Sequence, residues 1–194
     1  HLKENDPVMR GIIERVGPCR MTYREPDFST VVRAIIYQQV SGRVAAVIHE
    51  RVERGLGGRV TPRSVLKRDL SELRAMGLSG QKASYLLDLA EKTQSGELRV
   101  RELPDSEDAE VIERMTRVKG IGEWTAQMFL MFALRRRDVL PVGDLGVRMA
   151  MKKWYGLDDL PKRQEMEQIA QPWRPWASVA VWYLWRSLDG EAEI

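Results

Sequence analysis

Apolar side chains recur at helical spacing along most of this 194-residue chain. Between residues 105 and 118, for example, Val111 and Ile112 are followed three or four positions later by Met115, and Met115 by Val118, which places them on one face of a helix. The same periodicity runs through residues 80–93. The pattern therefore predicts a succession of amphipathic helices.

Helix starts are marked by short polar residues, and strand patterns are scarce. Only residues 59–64 and 97–103 alternate in the manner of a strand. Side chains of Ser, Thr and Asp that precede an apolar run commonly cap a helix, because they accept hydrogen bonds from its first amides. The predicted caps are Asp27, Ser41, Thr61 (followed by Pro62), and either Asp105 or Ser106. The sequence predicts an all-α protein.

A tight glycine turn separates two of these helices. Gly120 and Gly122 flank Ile121, and a helix-length apolar segment follows at once. Glycine permits positive φ and a close backbone approach, and a helix that begins at such a turn points free amides at an anion. The local prediction is helix, hairpin, helix, which suits a sequence-independent grip on a nucleic-acid strand. Further on, Pro141 and Gly143 break the chain before Asp144 opens another helix.

Composition narrows the class of protein. With 43% hydrophobic and 30% charged residues, the chain is typical of a soluble globular protein. No apolar run approaches the roughly 20 residues that span a bilayer, and no secretory leader is visible, so no membrane partner is expected. Cys19 is the only cysteine, which excludes an internal disulfide and a cysteine-ligated iron–sulfur cluster. The net charge of +3 is compatible with DNA binding but does not require it.

The order of these motifs resembles the helix-hairpin-helix DNA glycosylases, in particular their monofunctional alkylbase branch, the DNA-3-methyladenine glycosylase II type. Four segments carry the resemblance, namely residues 34–41 (AIIYQQVS), 118–122 (VKGIG), 144–148 (DLGVR) and 175–178 (PWAS). It implies two helical lobes with a DNA-binding cleft between them, one of about 31–136 with the hairpin at 116–123, the other of about 1–30 plus 137–194. It also implies the catalytic unit without the N-terminal β-rich domain of larger relatives.

The resemblance places the catalytic carboxylate on Asp144. Cleavage of an N-glycosidic bond passes through a cationic sugar, which a positioned carboxylate stabilises while it orients the attacking water. The spacing after Gly143 is also that of an ordinary N-cap aspartate, and one residue can serve both purposes.

Residues around the base follow from the same resemblance. Trp124 stands where strand-cleaving relatives carry a lysine, which implies base excision without lyase activity, and it would form a pocket wall unless it is a core residue. Trp185 would stack on the extruded base, with Trp176 in the core. Met128 and Leu145 replace tyrosines of some relatives, which implies a wider pocket.

DNA contacts are implied around the hairpin and one earlier turn. Gln39, or its neighbour Gln38, would wedge into the base stack after eversion. The implied phosphate contacts are Lys119, Gly120, Ile121, Gly122 and Thr125. Lys119 would compensate for the acid Glu123 nearby. A monovalent cation, Na⁺ or K⁺, would be held by the carbonyls of Thr116, Val118 and Ile121, with no other cofactor.

These residues predict a monomeric, cytoplasmic enzyme, at the bacterial nucleoid, that removes alkylated bases such as 3-methyladenine, 7-methylguanine or ethenoadenine from double-stranded DNA. Two alternatives stay open. One is a glycosylase for oxidised or mismatched bases, which a lysine at position 124 would have favoured. The other is a non-enzymatic DNA-binding module that uses only the hairpin.

Overall fold

The computed structural model describes residues 1–188, and every regular element in that range is a helix. The all-α class is confirmed. The α-helices, in chain order, are α1 (Leu2–Asn5), α2 (Pro7–Val16), α3 (Phe28–Tyr37), α4 (Gly42–Gly55), α5 (Pro62–Leu66), α6 (Leu70–Ala75), α7 (Gly80–Ser95), α8 (Asp108–Thr116), α9 (Glu123–Phe132), α10 (Leu145–Tyr155), α11 (Arg163–Ile169) and α12 (Ala177–Leu188). Short 3₁₀ turns cover Val100–Asp105 and Gln171–Trp173.

Both strand candidates are wrong, and each has a local cause. In residues 59–64 the side chains of Thr61 and Ser64 form a reciprocal capping box that starts α5. In residues 97–103 the buried Val100 and Leu103 are three positions apart, which suits the three-residue period of a 3₁₀ turn.

Most predicted helix starts are confirmed by cap hydrogen bonds. Asp27 accepts from the Thr30 amide at 2.9 Å, and Ser41 and Thr61 cap α4 and α5 in the same way. The start of α8 is the exception. Asp105 belongs to the preceding 3₁₀ turn, which the Ser106 amide closes by donating to Leu103 O at 3.1 Å. The cap position therefore falls on Glu107.

The chain folds into two compact units. The hairpin unit comprises Arg24–Leu134, and the aspartate unit comprises His1–Tyr23 together with the chain from Arg135 onward. In the hairpin unit, α3 packs against α4 and α7, and α8 packs against α9. Its fully buried apolar side chains include Val31, Ile35, Leu86, Leu89, Met115 and Leu130.

In the aspartate unit, α12 packs against both α10 and α2. Its core contains the fully buried Met9, Ile12, Val147, Ala150, Met151, Val181 and Leu184. Asp6 joins the chain start to this core, because its buried carboxylate accepts hydrogen bonds from the Trp173 indole and the Tyr155 hydroxyl. No helix among residues 1–188 has the length and apolar character needed to cross a bilayer.

Candidate functional site

The glycine turn joins α8 to α9 in the hairpin unit, so the predicted helix-hairpin-helix is confirmed. Gly120 has φ +79°, and a Cβ at this position would overlap the ring of Tyr85. Both its conformation and its surroundings therefore require glycine. The Ile121 amide donates to Val118 O at 3.1 Å, and the Ile121 side chain is buried, which anchors the turn to the core.

Gly122 differs from Gly120 in a way that bears on function. Its φ is −95°, which any residue adopts, and beyond its chain neighbours no atom of residues 1–188 lies within 4 Å of the place a Cβ would take. Within that part of the chain, therefore, neither conformation nor packing requires glycine here. Gly122 and the two residues that follow it are exposed, so the backbone at the start of α9 is open to a ligand.

Asp88, on α7, anchors the hairpin by a hydrogen bond. Its Oδ2 accepts from the Lys119 amide at 2.9 Å, and its Oδ1 accepts from Lys92 Nζ at 3.0 Å. Burial of Asp88 opposes its ionisation, but the hydrogen bonds from the Lys119 amide and the Lys92 ammonium outweigh this, so the pKa of Asp88 lies below its ordinary value. Sequence reasoning missed this residue, since only the packing of α7 beside the hairpin reveals it.

The compensation of Glu123 by Lys119 near a phosphate stays a prediction. Lys119 Nζ lies 3.6 Å from Asp88 Oδ1, so the ammonium pairs with the buried carboxylate. Glu123 Oε1 instead accepts from Gln127 Nε2 at 3.1 Å, one helical turn further along α9. The Lys119 side chain remains 71% exposed and within reach of a phosphate.

The side chain of Gln38, at the end of α3, points to the hairpin and hydrogen-bonds to it. Its Nε2 donates to Gly120 O at 2.9 Å and to Thr125 Oγ1 at 3.2 Å. The prediction of Gln38 as an alternative wedge is therefore wrong, because the side chain is committed to these two bonds. Thr125 is also only 4% exposed, so a phosphate contact through its hydroxyl is excluded.

Gln39 is exposed on the turn that follows α3. Its φ is +54°, the left-handed region that side chains other than glycine seldom adopt. Lys82 holds this turn, since its Nζ donates to Ile36 O at 2.7 Å and to Gln38 O at 2.6 Å. Burial lowers the pKa of Lys82. Sequence reasoning missed Lys82, whose role depends on the packing of α3 against α7.

Asp144 caps α10 in the aspartate unit, as predicted, and contacts a second predicted site residue. Its Oδ1 accepts from the Val147 amide at 2.7 Å and from Trp185 Nε1 at 2.9 Å. The residue is partly exposed, so the carboxylate is not enclosed in the core. Two hydrogen bonds from different helices fix its orientation, as a group aimed at a developing charge requires.

Gly146 makes room for this pair. A Cβ at Gly146 would lie 3.2 Å from both Asp144 Oδ1 and Trp185 Cδ1, which is closer than ordinary packing allows. Leu145, the first residue of α10, is 58% exposed beside them. Asp144, Leu145 and Trp185 are therefore grouped in the aspartate unit.

The other residues predicted for the base pocket belong to the hairpin unit. Trp124 is 44% exposed at the start of α9, so the core alternative for it is wrong. Met128 is half-buried one turn further along the same helix. The prediction that Trp176 is a core residue is also wrong, because it is only half-buried with Arg137 4.8 Å above its ring. Trp173 is the fully buried tryptophan instead.

Within residues 1–188, no group of three His, Cys, Asp or Glu side chains could hold a metal ion. The candidate cation ligands are backbone carbonyls. One of them, Val118 O, accepts the hydrogen bond that closes the hairpin, and a carbonyl oxygen has a second lone pair for a cation.

A family model for the HhH-GPD superfamily of base excision DNA repair proteins matches residues 32–175, which include both the hairpin and Asp144. The chain belongs to this superfamily. Among solved HhH-GPD-like structures, the DNA-3-methyladenine glycosidase of Bacillus halodurans superposes with a TM-score of 0.86 at 35% identity, over 99% of this chain and 89% of that one.

Two fission-yeast comparisons agree with this assignment. The 3-methyladenine DNA glycosylase of Schizosaccharomyces pombe, solved in complex with abasic DNA, superposes with a TM-score of 0.82 at 32% identity, over 95% of this chain and 93% of that one. DNA-3-methyladenine glycosylase 1 of the same organism is 31% identical over 193 residues, which cover 96% of this chain and 85% of that protein. Some relatives are longer, since the chain spans 59% of a Bacillus subtilis protein to which it is 31% identical.

Proposed function

We propose that this HhH-GPD protein is a DNA glycosylase that hydrolyses the N-glycosidic bond of alkylated bases and leaves an abasic site. The observation that carries the proposal is the contact between Asp144 and Trp185, a carboxylate held beside an indole at the start of α10. The relatives named for 3-methyladenine excision support the choice of alkylated bases, and the relative bound to abasic DNA supports DNA as the partner.

Asp144 would act on the sugar. As the bond between C1′ and the base nitrogen breaks, its electron pair leaves with the base and positive charge develops on the deoxyribose. The carboxylate stabilises that charge, and it accepts a hydrogen bond from the water whose oxygen then bonds to C1′. The proton that this water loses passes to the carboxylate and from there to solvent. The Val147 amide and the Trp185 indole keep the carboxylate oriented throughout. A purine methylated at N3 or N7 carries positive charge, so it leaves without strong acid catalysis.

The base would be recognised by aromatic and apolar side chains. Trp185 offers an electron-rich face to a cationic base, an attraction of roughly 0.5–2 kcal/mol for a favourable stack. Leu145, next to Asp144 in the chain, occupies less rigid volume than an aromatic ring would, which favours acceptance of bulkier lesions. We propose that 3-methyladenine, 7-methylguanine and ethenoadenine lie within the substrate range.

The hairpin would bind the backbone of the DNA strand, and Gln39 would insert into the base stack. The exposed start of α9 at Gly122 and the exposed Lys119 ammonium suit a phosphate. The carbonyls of Thr116, Val118 and Ile121 would hold Na⁺ or K⁺, whose charge would favour the same phosphate, and no other cofactor is proposed. The Gln39 turn, braced by Lys82, would fill the space that the everted base leaves.

We further propose hydrolysis without strand cleavage. A lyase needs an amine that forms a Schiff base with C1′, and the indole of Trp124 has none. The enzyme would act as a monomer in the cytoplasm.

Mass spectrometry of the bases released from methylated calf-thymus DNA tests this function. We expect free 3-methyladenine and 7-methylguanine, intact abasic strands, and no enzyme–DNA adduct after borohydride treatment. Release of 8-oxoguanine or of mismatched bases instead would support the second glycosylase class. Binding of DNA with no base released from any substrate would support the non-enzymatic module.

A further inference from the structure

We propose that a cleft lined by arginine on the aspartate unit is a second DNA-backbone site, which binds the phosphates beside the everted nucleotide. This arginine cleft, lined by Arg15, Arg20, Thr22, Trp182 and Arg186 together with Val16 and Pro18, has a volume of about 680 Å³. This inference rests on the proposed function. None of the residues that line the arginine cleft belongs to the hairpin.

The lining has the chemistry of a phosphodiester site. It contains three arginines, one hydroxyl and one indole, and no acidic side chain occurs among its described residues. The guanidiniums of Arg15 and Arg20 each present a planar fork of donors that matches two phosphate oxygens. An indole beside them offers a face on which any base can stack without regard to sequence. A cleft of this composition fits a nucleic-acid strand better than it fits an apolar ligand.

Two of the guanidiniums lie close to aromatic rings. Arg15 lies 5.5 Å from the ring centre of Trp154, and Arg186 lies 6.0 Å from that of Trp182. Arginine beside an aromatic ring retains its hydrogen-bond donors, because the contact uses the face of the planar group. The contact restricts the side chain before a ligand arrives, which lowers the entropy lost on binding.

The competing explanation for these arginines is favourable electrostatics at helix ends, and it does not account for all of them. Arg15 lies in the last turn of α2 and Arg186 in the last turn of α12, where a cation also suits the negative end of the helix. Arg20 lies beyond the end of that helix, on residues with no regular structure. Its position in the cleft is therefore not explained by helix electrostatics.

One helix, α12, contributes a residue both to the cleft and to the candidate catalytic pair. Trp182 and Trp185 are three residues apart on α12, and residues at that spacing are neighbours on a helix surface. Trp185 donates to Asp144, while Trp182 lines the cleft. A strand whose nucleotide reaches Asp144 would therefore have its neighbouring phosphates close to these arginines.

Fluorescence anisotropy with an undamaged 30-base-pair duplex tests the site, because it requires no excision. The test variant is Arg15→Gln/Arg20→Gln, and the matched control is Arg74→Gln/Arg101→Gln, which removes the same charge from exposed positions of the hairpin unit. Affinity is measured from 50 to 300 mM salt. Each lost phosphate contact should reduce the slope of log K against log salt by about 0.9. We expect a reduction of about 1–2 and at least roughly 10-fold weaker binding at the lowest salt for the test variant alone.

The outcomes separate this inference from the proposed function. If test and control variants bind with equal slopes while the wild type releases alkylated bases, the second site is wrong and the glycosylase assignment stands. If the slope of log K against log salt falls for the test variant alone, but the wild type releases no base, the second DNA-backbone site is supported and the glycosylase assignment fails. A wild type that neither binds the duplex nor releases alkylated bases overturns both.

Discussion

Trp185 donates a hydrogen bond from its indole Nε1 to Asp144 Oδ1 at 2.9 Å, so the residue predicted to stack on the base also orients the predicted catalytic carboxylate. The two are on different helices, and Gly146 leaves the space in which they meet. We expect the ring and the donor of this one side chain to make separable contributions to catalysis.

Replacing Trp185 by Phe separates these contributions, since it keeps a ring and removes the donor. A hydrogen bond to a charged group contributes about 1.5–3 kcal/mol, so we expect the single-turnover excision rate to fall by roughly 10- to 100-fold for cationic and neutral lesions alike. Trp185→Ala should show a further loss that is larger for cationic 3-methyladenine than for neutral ethenoadenine. A Phe variant with the wild-type rate would show that the bond to Asp144 has no catalytic role.

The two hairpin glycines should respond differently to alanine. Gly120→Ala forces a Cβ into Tyr85 at a positive φ, and we expect a loss of about 1–3 kcal/mol in the free energy of unfolding. Gly122→Ala has open space for its methyl group, so its stability should remain within about 0.5 kcal/mol of wild type. Its affinity for DNA should nevertheless fall roughly 10-fold, because the methyl group would occupy the place of a phosphate. Urea denaturation and DNA titration of both variants check this, and unchanged affinity in Gly122→Ala would refute a phosphate contact there.

Lys82 should act on base eversion through Gln39. Lys82→Met removes the two donors that hold the turn, and Gln39→Ala removes the wedge itself. We expect each change to reduce the fraction of everted base, reported by 2-aminopurine fluorescence, by about 5- to 10-fold. The double variant should lose little more, because residues that act through one element are not additive. Lys67→Met, an exposed lysine elsewhere in the unit, serves as the charge control. Fully additive losses would show that the turn does not link the two residues.

Asp88 should make the hairpin sensitive to acid. We expect Asp88→Asn to lower the free energy of unfolding by about 1–3 kcal/mol at neutral pH. The pKa of Asp88 is lowered in the folded protein, so its contribution is complete above the unfolded value of about 3.9 and is lost as the pH falls through the folded value. Wild type and variant should therefore converge in acid.

Urea denaturation at pH 7, 5 and 3 measures that convergence. Asp159→Asn, at an exposed position, is the control and should track the wild type throughout. A difference between Asp88→Asn and wild type that is constant with pH would show that the charge on Asp88 contributes nothing.

Features that depend on neighbours in the sequence were predictable. The caps at Asp27 and Asp144 follow from a short polar residue before an apolar run, and the hairpin follows from glycines between two periodic stretches. The strand prediction at residues 97–103 failed because Val100 and Leu103, three positions apart, also match the period of a 3₁₀ turn.

Features that depend on distant partners were not predictable. In the sequence, Asp88 and Lys82 are ordinary polar positions of an amphipathic helix. Their hydrogen bonds arise only because α7 packs beside the hairpin and the end of α3. Gln38 and Gln39 are adjacent and chemically identical. Because the backbone turns left-handed at Gln39, the Gln38 side chain contacts the hairpin and the Gln39 side chain is exposed. The same holds for Trp173 and Trp176, whose burial is decided by contacts with Asp6 and Arg137.

The excision rate of Asp144→Asn tests the central claim most directly. Asparagine caps helices about as well as aspartate does, so the variant should fold normally and still bind abasic DNA. We predict that its single-turnover release of 3-methyladenine falls by at least roughly 1,000-fold, because the charge opposite the developing sugar cation is gone. Excision within a few-fold of the wild-type rate, by a folded variant that binds DNA, would contradict the account.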